Sequence, residues 1–174
     1  METWDAIRSR RNVRRYADEP IGAEQLDRIL EAARRSPSSR NSQPWDFVVV
    51  TDRDQLRDLA TVWRGAGHVA GSAATVALVV TAESDPSRRA SVYYDLGQAT
   101  MSMMVAAADL GIGSAHAAVA DQDRAREVLG LPADRVCAYL VAFGYPADRP
   151  LRPQARPDRR AFADVVHRGS LTGG

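Results

Sequence analysis

Lysine is absent: all 23 basic residues of this 174-residue chain are arginine. Without lysine there is no Schiff base to pyridoxal phosphate or an aldol substrate, and no Walker-type phosphate loop. The absence itself reads as a GC-rich coding bias more than as chemistry. Cysteine is nearly as scarce. Cys137 stands alone, which excludes a disulfide framework and a cysteine-based zinc or iron–sulfur site. His68, His116 and His167 are too widely spaced for a metal-ligand pattern, so no metal is expected. No apolar run nears the roughly 18 residues of a membrane span; the longest, Ala73–Val80, is strand-sized. The opening METWDAIRSRR has no apolar stretch of the kind a secretory signal carries. A cytoplasmic location with no membrane partner is the resulting expectation. A net charge of +1 gives no pull toward nucleic acid.

With 45% apolar and 26% charged residues in 18.9 kDa, the chain fits one soluble domain with a short tail. Residues 3–11 read as a short helix ending near Asn12. Leu26, Ile29, Leu30 and Ala33 recur at helical spacing, with Gly22 and Gln25 at the helix start and Ser36-Pro37 at its end. A polar loop, PSSRNSQPW, feeds into Asp46–Val50, read as a buried strand. Asp52 opens a helix bearing Leu56, Leu59, Ala60 and Trp63, and Ala74–Thr81 is a strand. Ser84–Ser91 reads as a connector, and Val92–Leu110 as a long helix that is apolar almost all round and therefore buried. It stops at Gly111. Ile112–Ala118 and Val136–Phe143 read as strands, flanking a helix capped by Asp121 and closed by Gly130-Leu131-Pro132. Pro146, Pro150, Pro153 and Pro157 keep the tail extended, and Val165-Val166 is a candidate last strand. Helices outnumber strands in an α/β or α+β alternation.

Two constellations carry possible chemistry. Arg8, Arg10, Arg11, Arg14 and Arg15 place five arginines within eight residues. They are either a solvated basic helix end or an anion site, since the planar guanidinium matches phosphate bidentately. Interleaved aromatics and a second basic stripe are missing, which argues against nucleic acid. The second constellation is Pro37–Trp45, whose Ser, Asn and Gln side chains suit a heterocycle's donor and acceptor edge. Met101, Met103 and Met104 are read as core packing. Cys137, inside a strand, is read as inert.

Arg10-Arg11-Asn12-Val13-Arg14-Arg15-Tyr16 resembles the R-R-S-x-R-x-F/Y opening of the nitroreductase family, and PSSRNSQPW resembles its second signature. Asp95-Leu96-Gly97, Leu110-Gly111-Ile112-Gly113, Gly144-Tyr145-Pro146 and Arg159-Arg160…Val165-Val166-His167 follow the family's later motifs in order. Asn12 replaces the usual serine. Met101-Ser102 stand where the family's long helix usually carries glutamine and asparagine, and His116-Ala117-Ala118-Val119 lacks an acidic residue and a glycine. Together with the short stretch between Thr81 and Val92, these departures suggest a small-type member.

The resemblance implies an α+β, three-layer α/β/α sandwich around a central mixed sheet. It implies a homodimer whose C-terminal tails are exchanged: a core at 1–146 and an extended tail at 147–174 completing the fold across the dimer. It also implies FMN bound tightly but non-covalently at sites shared by both subunits, with NADH or NADPH as electron donor and a small-molecule acceptor as substrate. On this reading Arg10 and Arg159 clamp the FMN phosphate, with Arg11 nearby and Arg156 or Arg160 as the further charge. Asn12 hydrogen-bonds the flavin and Arg14 lies near its N1/O2 edge. Pro37, Ser38 and Asn41 approach from the other chain, and backbone amides near Ala118 and Val119 meet N4–N5. No side chain need serve as a nucleophile or general base, because the flavin performs the hydride chemistry. His116 is read as structural, with proton donation near the flavin as its functional alternative. Reduction of nitroaromatics or quinones in ping-pong fashion is the leading expectation. A flavin-dependent dehydrogenase, oxidase or dehalogenase-like branch, and a non-catalytic FMN-sequestering protein, are the alternatives.

Overall fold

A computed structural model describes residues 1–171, so the last three residues of the expected tail lie outside it. Four strands form one sheet in the order β1-β2-β4-β3: β1 Asp46–Val50, β2 Ala74–Thr81, β3 Gly113–Ala118 and β4 Arg135–Gly144. All the strand pairs are antiparallel. The parallel component of the expected mixed sheet reduces, among the described residues, to a single bridge between Asn12 and Ser114.

The alternation of side chains on β2 builds the three layers. Val76, Leu78 and Val80 pack with Ile29 and Ala33 of α2 (Ala23–Arg34) and with Leu96, Ala99 and Met103 of α4 (Pro86–Asp109). Ala77 and Val79 face the opposite way, toward Leu56 and Leu59 of α3 (Arg53–Leu59) and Ala125 of α5 (Gln122–Leu129). The two apolar clusters are thus the two interfaces of a helix–sheet–helix sandwich. A register shift between Leu78 and Val79 leaves Ala138 as an extra residue on β4. Such a bulge re-aims neighbouring side chains. Tyr139 meets Tyr93 of α4 edge-on, with the ring centroids 6.2 Å apart.

Helix ends follow local chemistry. The Gln25 side chain accepts the Gly22 N–H at 3.2 Å. Asp52 caps α3 by accepting the N–H groups of Asp54 and Gln55, Asp121 caps α5 through Arg124 N–H, and Gly130 closes α5 at φ 64°.

Five expectations are corrected. α1 spans only Thr3–Ser9, and Arg10 is already extended, at φ −62° and ψ 123°. Backbone pairing overrides the helical pattern there: Val13 N–H donates to the Ser114 carbonyl at 3.0 Å, and Ala17 N–H to the Tyr145 carbonyl at 2.8 Å. The expected connector at Ser84–Ser91 is mostly helix, because Pro86 is favourable in a first turn and Asp85 caps it through Ser87 N–H. β1 is an edge strand rather than a buried one, with only Val50 fully covered. Val165 and Val166 are exposed and form no strand; a single helical turn at Phe162–Asp164 precedes them. Met103 and Met104 are core residues, but Met101 is 41% exposed.

Candidate functional site

The early loss of helix at Arg10 lays residues 10–16 as an extended segment across the ends of β3 and β4, bridged at Asn12–Ser114 and Tyr16–Pro146. Alternation along it buries Val13 and leaves Asn12 and Arg14 exposed. Arg10 is half-buried at the rim of a cavity of about 440 Å³ between α4 and the sheet, lined also by Tyr93, Met101, Met104, His116 and Tyr139. Its Nη1 donates to Asn12 Oδ1 at 3.3 Å.

Arg159, near the other end of the chain, is exposed and adds its charge to the surroundings of Arg10. Burial first, and then the charge of Arg159, hold the Arg10 guanidinium below its ordinary pKa. Arg159 Nη1 donates to the Asp158 carbonyl at 2.6 Å. Among the described residues neither arginine is paired with a carboxylate. Cations within electrostatic reach of one another disfavour each other's charged form, and a bound dianion would remove that cost. The donor set therefore fits a phosphate monoester.

Arg11 is committed elsewhere. Its Nη2 contacts Asp148 Oδ1 and the Arg149 carbonyl, both at 2.7 Å, and so ties down the start of the tail. Arg156 lines a separate cavity of about 710 Å³ with Arg11, Arg149 and Arg152, whereas Arg160 Nη2 donates to the Asp164 carbonyl. Arg14 is exposed, and its charge reaches both Tyr16 and His68. Burial is the main cause holding the His68 imidazole below its usual pKa, and the charges of Arg14 and His116 act in the same direction. Burial raises the Tyr16 phenol well above its ordinary value.

The loop between α2 and β1 lies apart from the arginines. None of residues 37–45 lines the Arg10 cavity; Ser39, Arg40, Ser42 and Pro44 instead border a cavity of about 550 Å³ beside the N-terminal half of α4. Ser39–Asn41 form one tight helical turn, and Arg40, Asn41 and Gln43 take φ values of 54°, 55° and 48°. Non-glycine residues in that region cost on the order of 1–3 kcal/mol each, and such strain clusters at ligand sites. Ser38 Oγ accepts the Gln43 N–H at 2.9 Å.

At the far end of β3, Ala118 pairs with Tyr139, and Val119 packs on the α3/α5 side. His116 lies exposed on the cavity side of that strand. Within one chain the structure thus gathers Arg10, Asn12 and His116 on one side, with the charge of Arg159 acting on Arg10, and Pro37, Ser38 and Asn41 on another. Tyr93 and Tyr139 are cavity residues that the sequence reading missed. A lone tyrosine inside the apolar run VCAYLVAF was the available signal, but the bulge that aims it leaves no local trace. Among the described residues no three His, Cys, Asp or Glu side chains gather as a metal site.

The nitroreductase family model matches residues 7–66 and 61–145. The chain is 34% identical over 173 residues to an Archaeoglobus fulgidus protein designated NADH dehydrogenase/NAD(P)H nitroreductase, covering 96% of this chain and 97% of that one. It is 27% identical over 177 residues to the FMN reductase [NAD(P)H] of Bacillus subtilis, covering 90% and 70% respectively. An FMN-dependent nitroreductase of Clostridium difficile R20291 superposes with a TM-score of 0.83 at 22% identity, over 95% of this chain and 98% of that one. That likeness concerns the fold. With motif order, sheet topology and whole-length similarity in agreement, the chain belongs to the nitroreductase family.

Proposed function

We propose that the protein is an FMN-dependent oxidoreductase that takes hydride from NADH or NADPH and reduces small electrophilic acceptors, such as nitroaromatics or quinones, in ping-pong fashion. The observation that carries this reading is Arg10, half-buried at the rim of the cavity, without a carboxylate partner among the described residues and within the field of Arg159 from the opposite end of the chain. Family membership and the relatives' names support the oxidoreductase class.

Arg10 and Arg159 would grip the phosphate, and Asn12 would steady Arg10 through its side-chain oxygen. Arg14, exposed beside this segment, would supply a fixed cation toward the flavin's N1/O2 edge, an electrostatic contribution that needs no proton transfer. Ala118 and Val119 would offer backbone groups at the end of β3. Arg11 acts indirectly, by holding the Asp148–Arg149 corner from which the tail departs. Pro37, Ser38 and Asn41 would complete the site from a second copy, because in one chain none of them lines the Arg10 cavity and their loop neighbours Ser39, Arg40, Ser42 and Pro44 border a different one. Bound there, FMN supplies the hydride-accepting and hydride-donating ring, while the protein supplies position, charge and cover. The reading places the protein in the cytoplasm as a homodimer; separately, among the described residues no helix is long and apolar enough to cross a membrane.

Titration of purified protein with FMN, followed by anaerobic addition of NADH or NADPH, tests the reading. Tight binding, bleaching of the flavin and reoxidation by a quinone are expected. A protein that binds no FMN would overturn the assignment, and one that binds FMN without bleaching would exclude NADH and NADPH as its electron donors.

A further inference from the structure

α4 is apolar over most of its length, yet Asp95, Gln98 and Ser102 form a polar stripe at i, i+3 and i+7. Asp95 is only 4% exposed, and no arginine pairs with it among the described residues. Its Oδ2 accepts the Ser39 N–H at 2.9 Å, and its Oδ1 accepts Gln98 Nε2 at 3.4 Å. Ser102 Oγ donates to the Gln98 carbonyl at 2.9 Å and receives the Ser36 hydroxyl at 2.8 Å. The loop is therefore stitched to α4 at Ser36 and at Ser39. Pro37 and Ser38 span the gap between the two stitches.

A buried carboxylate without a cation is costly, so its hydrogen bonds matter. An ionised carboxylate is also the strongest side-chain acceptor for a backbone N–H. The Ser39 bond anchors the first residue of the turn that carries Arg40 and Asn41 into positive φ. Within that turn, Asn41 N–H reaches the Ser38 carbonyl at 2.9 Å and Ser42 N–H the Ser39 carbonyl at 3.0 Å. Ser38 Oγ is an acceptor inside the loop, toward Gln43 N–H, which leaves its own proton to donate outward. The Asn41 side-chain amide has no partner among the described residues and is exposed.

We propose that Asp95 is a positioning residue: its carboxylate holds the Ser39–Asn41 turn in its left-handed shape and so presents Pro37, Ser38 and Asn41 to the cofactor of the neighbouring site. The proposal rests on the FMN reading above and adds the residue that sets the loop's geometry. It also gives Ser102, which departs from the family pattern, a role as the second anchor.

The test pairs two readouts on Asp95→Ala, Asp95→Asn and Ser39→Pro. Amide hydrogen exchange on flavin-free protein reads the loop, and FMN titration reads its presentation, with Arg10→Ala as the reference. Asp95→Ala is expected to speed exchange at Asn41, Ser42 and Gln43 by about tenfold or more while β2 and β4 stay protected. FMN affinity should fall by roughly 10- to 100-fold, the loss of one charge-assisted bond. Asp95→Asn keeps an acceptor oxygen of the same shape without the charge and should recover part of both. Ser39→Pro removes the donor while leaving Asp95 in place, and should reproduce the loss with no further decrease when combined with Asp95→Ala. Faster exchange in β4 would mark global unfolding of Asp95→Ala, and Ser39→Pro then decides. Unchanged loop exchange would overturn the anchoring role, and faster loop exchange with unchanged FMN affinity would overturn presentation. Absence of FMN binding in the parent protein would instead count against the flavin reading, and undiminished affinity in Arg10→Ala against the clamp, leaving the exchange result to judge the anchor.

Discussion

Gly113 and Gly144 face each other as Cα partners at the end of the β3–β4 ladder, and each accommodates a side chain of the arginine-bearing segment. A Cβ on Gly113 would lie 2.6 Å from Val13 Cβ, and one on Gly144 2.7 Å from Tyr16 Cδ1. The arginines therefore reach their places because the strands beneath them lack side chains. Val13 is buried and has nowhere to retreat. Gly113→Ala and Gly144→Ala are each expected to cost about 1–3 kcal/mol by overpacking. Thermal unfolding should show this as a drop of roughly 2–4 °C per kcal/mol. FMN affinity should fall in parallel as Arg10–Arg14 shift. Gly67→Ala, which would meet nothing within 4 Å, is the control and should leave both unchanged.

The two neighbouring arginines Arg10 and Arg11 should separate cleanly by substitution. Arg10→Ala and Arg159→Ala each remove one charge-assisted contact to the proposed phosphate. Each should weaken FMN binding by about 1.5–3 kcal/mol, or roughly 10- to 150-fold. Arg11→Ala should weaken it far less, since its guanidinium is occupied by Asp148 and the Arg149 carbonyl. Fluorescence titration of FMN distinguishes the three, and equal losses at Arg10 and Arg11 would refute the assignment of the clamp.

Much of this arrangement was legible in the chain. Cap residues such as Asp52 and Asp121, the glycine stop at Gly130, and the apolar run Ala74–Thr81 encode their structures locally. The arginine segment does not. Its first residues, Arg10 and Arg11, read as the end of a helix, whereas pairing of Val13 with Ser114 and of Ala17 with Tyr145, about a hundred residues away in sequence, makes the segment extended. Pro86 misled in the opposite direction, because a proline that breaks a helix interior also suits its first turn. Tyr139 was invisible as a site residue because a one-residue bulge, set by the pairing of β4 with β2, determines where it sits. The separation of loop and arginines into different cavities is likewise a property of the folded chain alone.

Arg11 also makes a prediction in pH. Its hydrogen bond lowers the Asp148 carboxyl from 3.8 to about 2. A depressed carboxylate stabilises the folded arrangement above the unfolded pKa, and that contribution disappears as pH falls through the folded value. The tail anchor is thus complete above about pH 4 and released toward about pH 2. The pair is exposed enough for salt to weaken it. An NMR titration of the Asp148 carboxyl should give a midpoint near 2 in the parent protein, moving back toward 3.8 in Arg11→Ala.

Cys137 should be unreactive despite being the only thiol. Burial alone pushes it up to about 12, and its backbone N–H and carbonyl are both held by the Gln122 side chain. The thiolate is the reactive species, so at neutral pH almost none is present. A chromogenic disulfide reagent should release no colour from native protein and one equivalent after denaturation. Rapid native reaction would show that β4 opens at Cys137.

Because residues 37–45 do not line the Arg10 cavity within one chain, the proposed shared site gives the sharpest prediction about assembly. Tyr94 and Phe162 are 73% and 72% exposed, apolar surface that a second copy would cover. Gel filtration should give a mass near twice the 18.9 kDa of one chain. Mixing then tests whether sites are shared. Arg10→Ala damages the clamp, and Asn41→Ala damages the facing loop. In a two-fold dimer of one variant with the other, one site inherits both defects and its mate inherits neither. Unfolding and refolding a 1:1 mixture should therefore restore about a quarter of the parental tight FMN sites, since half of the dimers are mixed and each of those has one intact site. Were each site built within a single chain, every site would keep one defect and mixing would restore none.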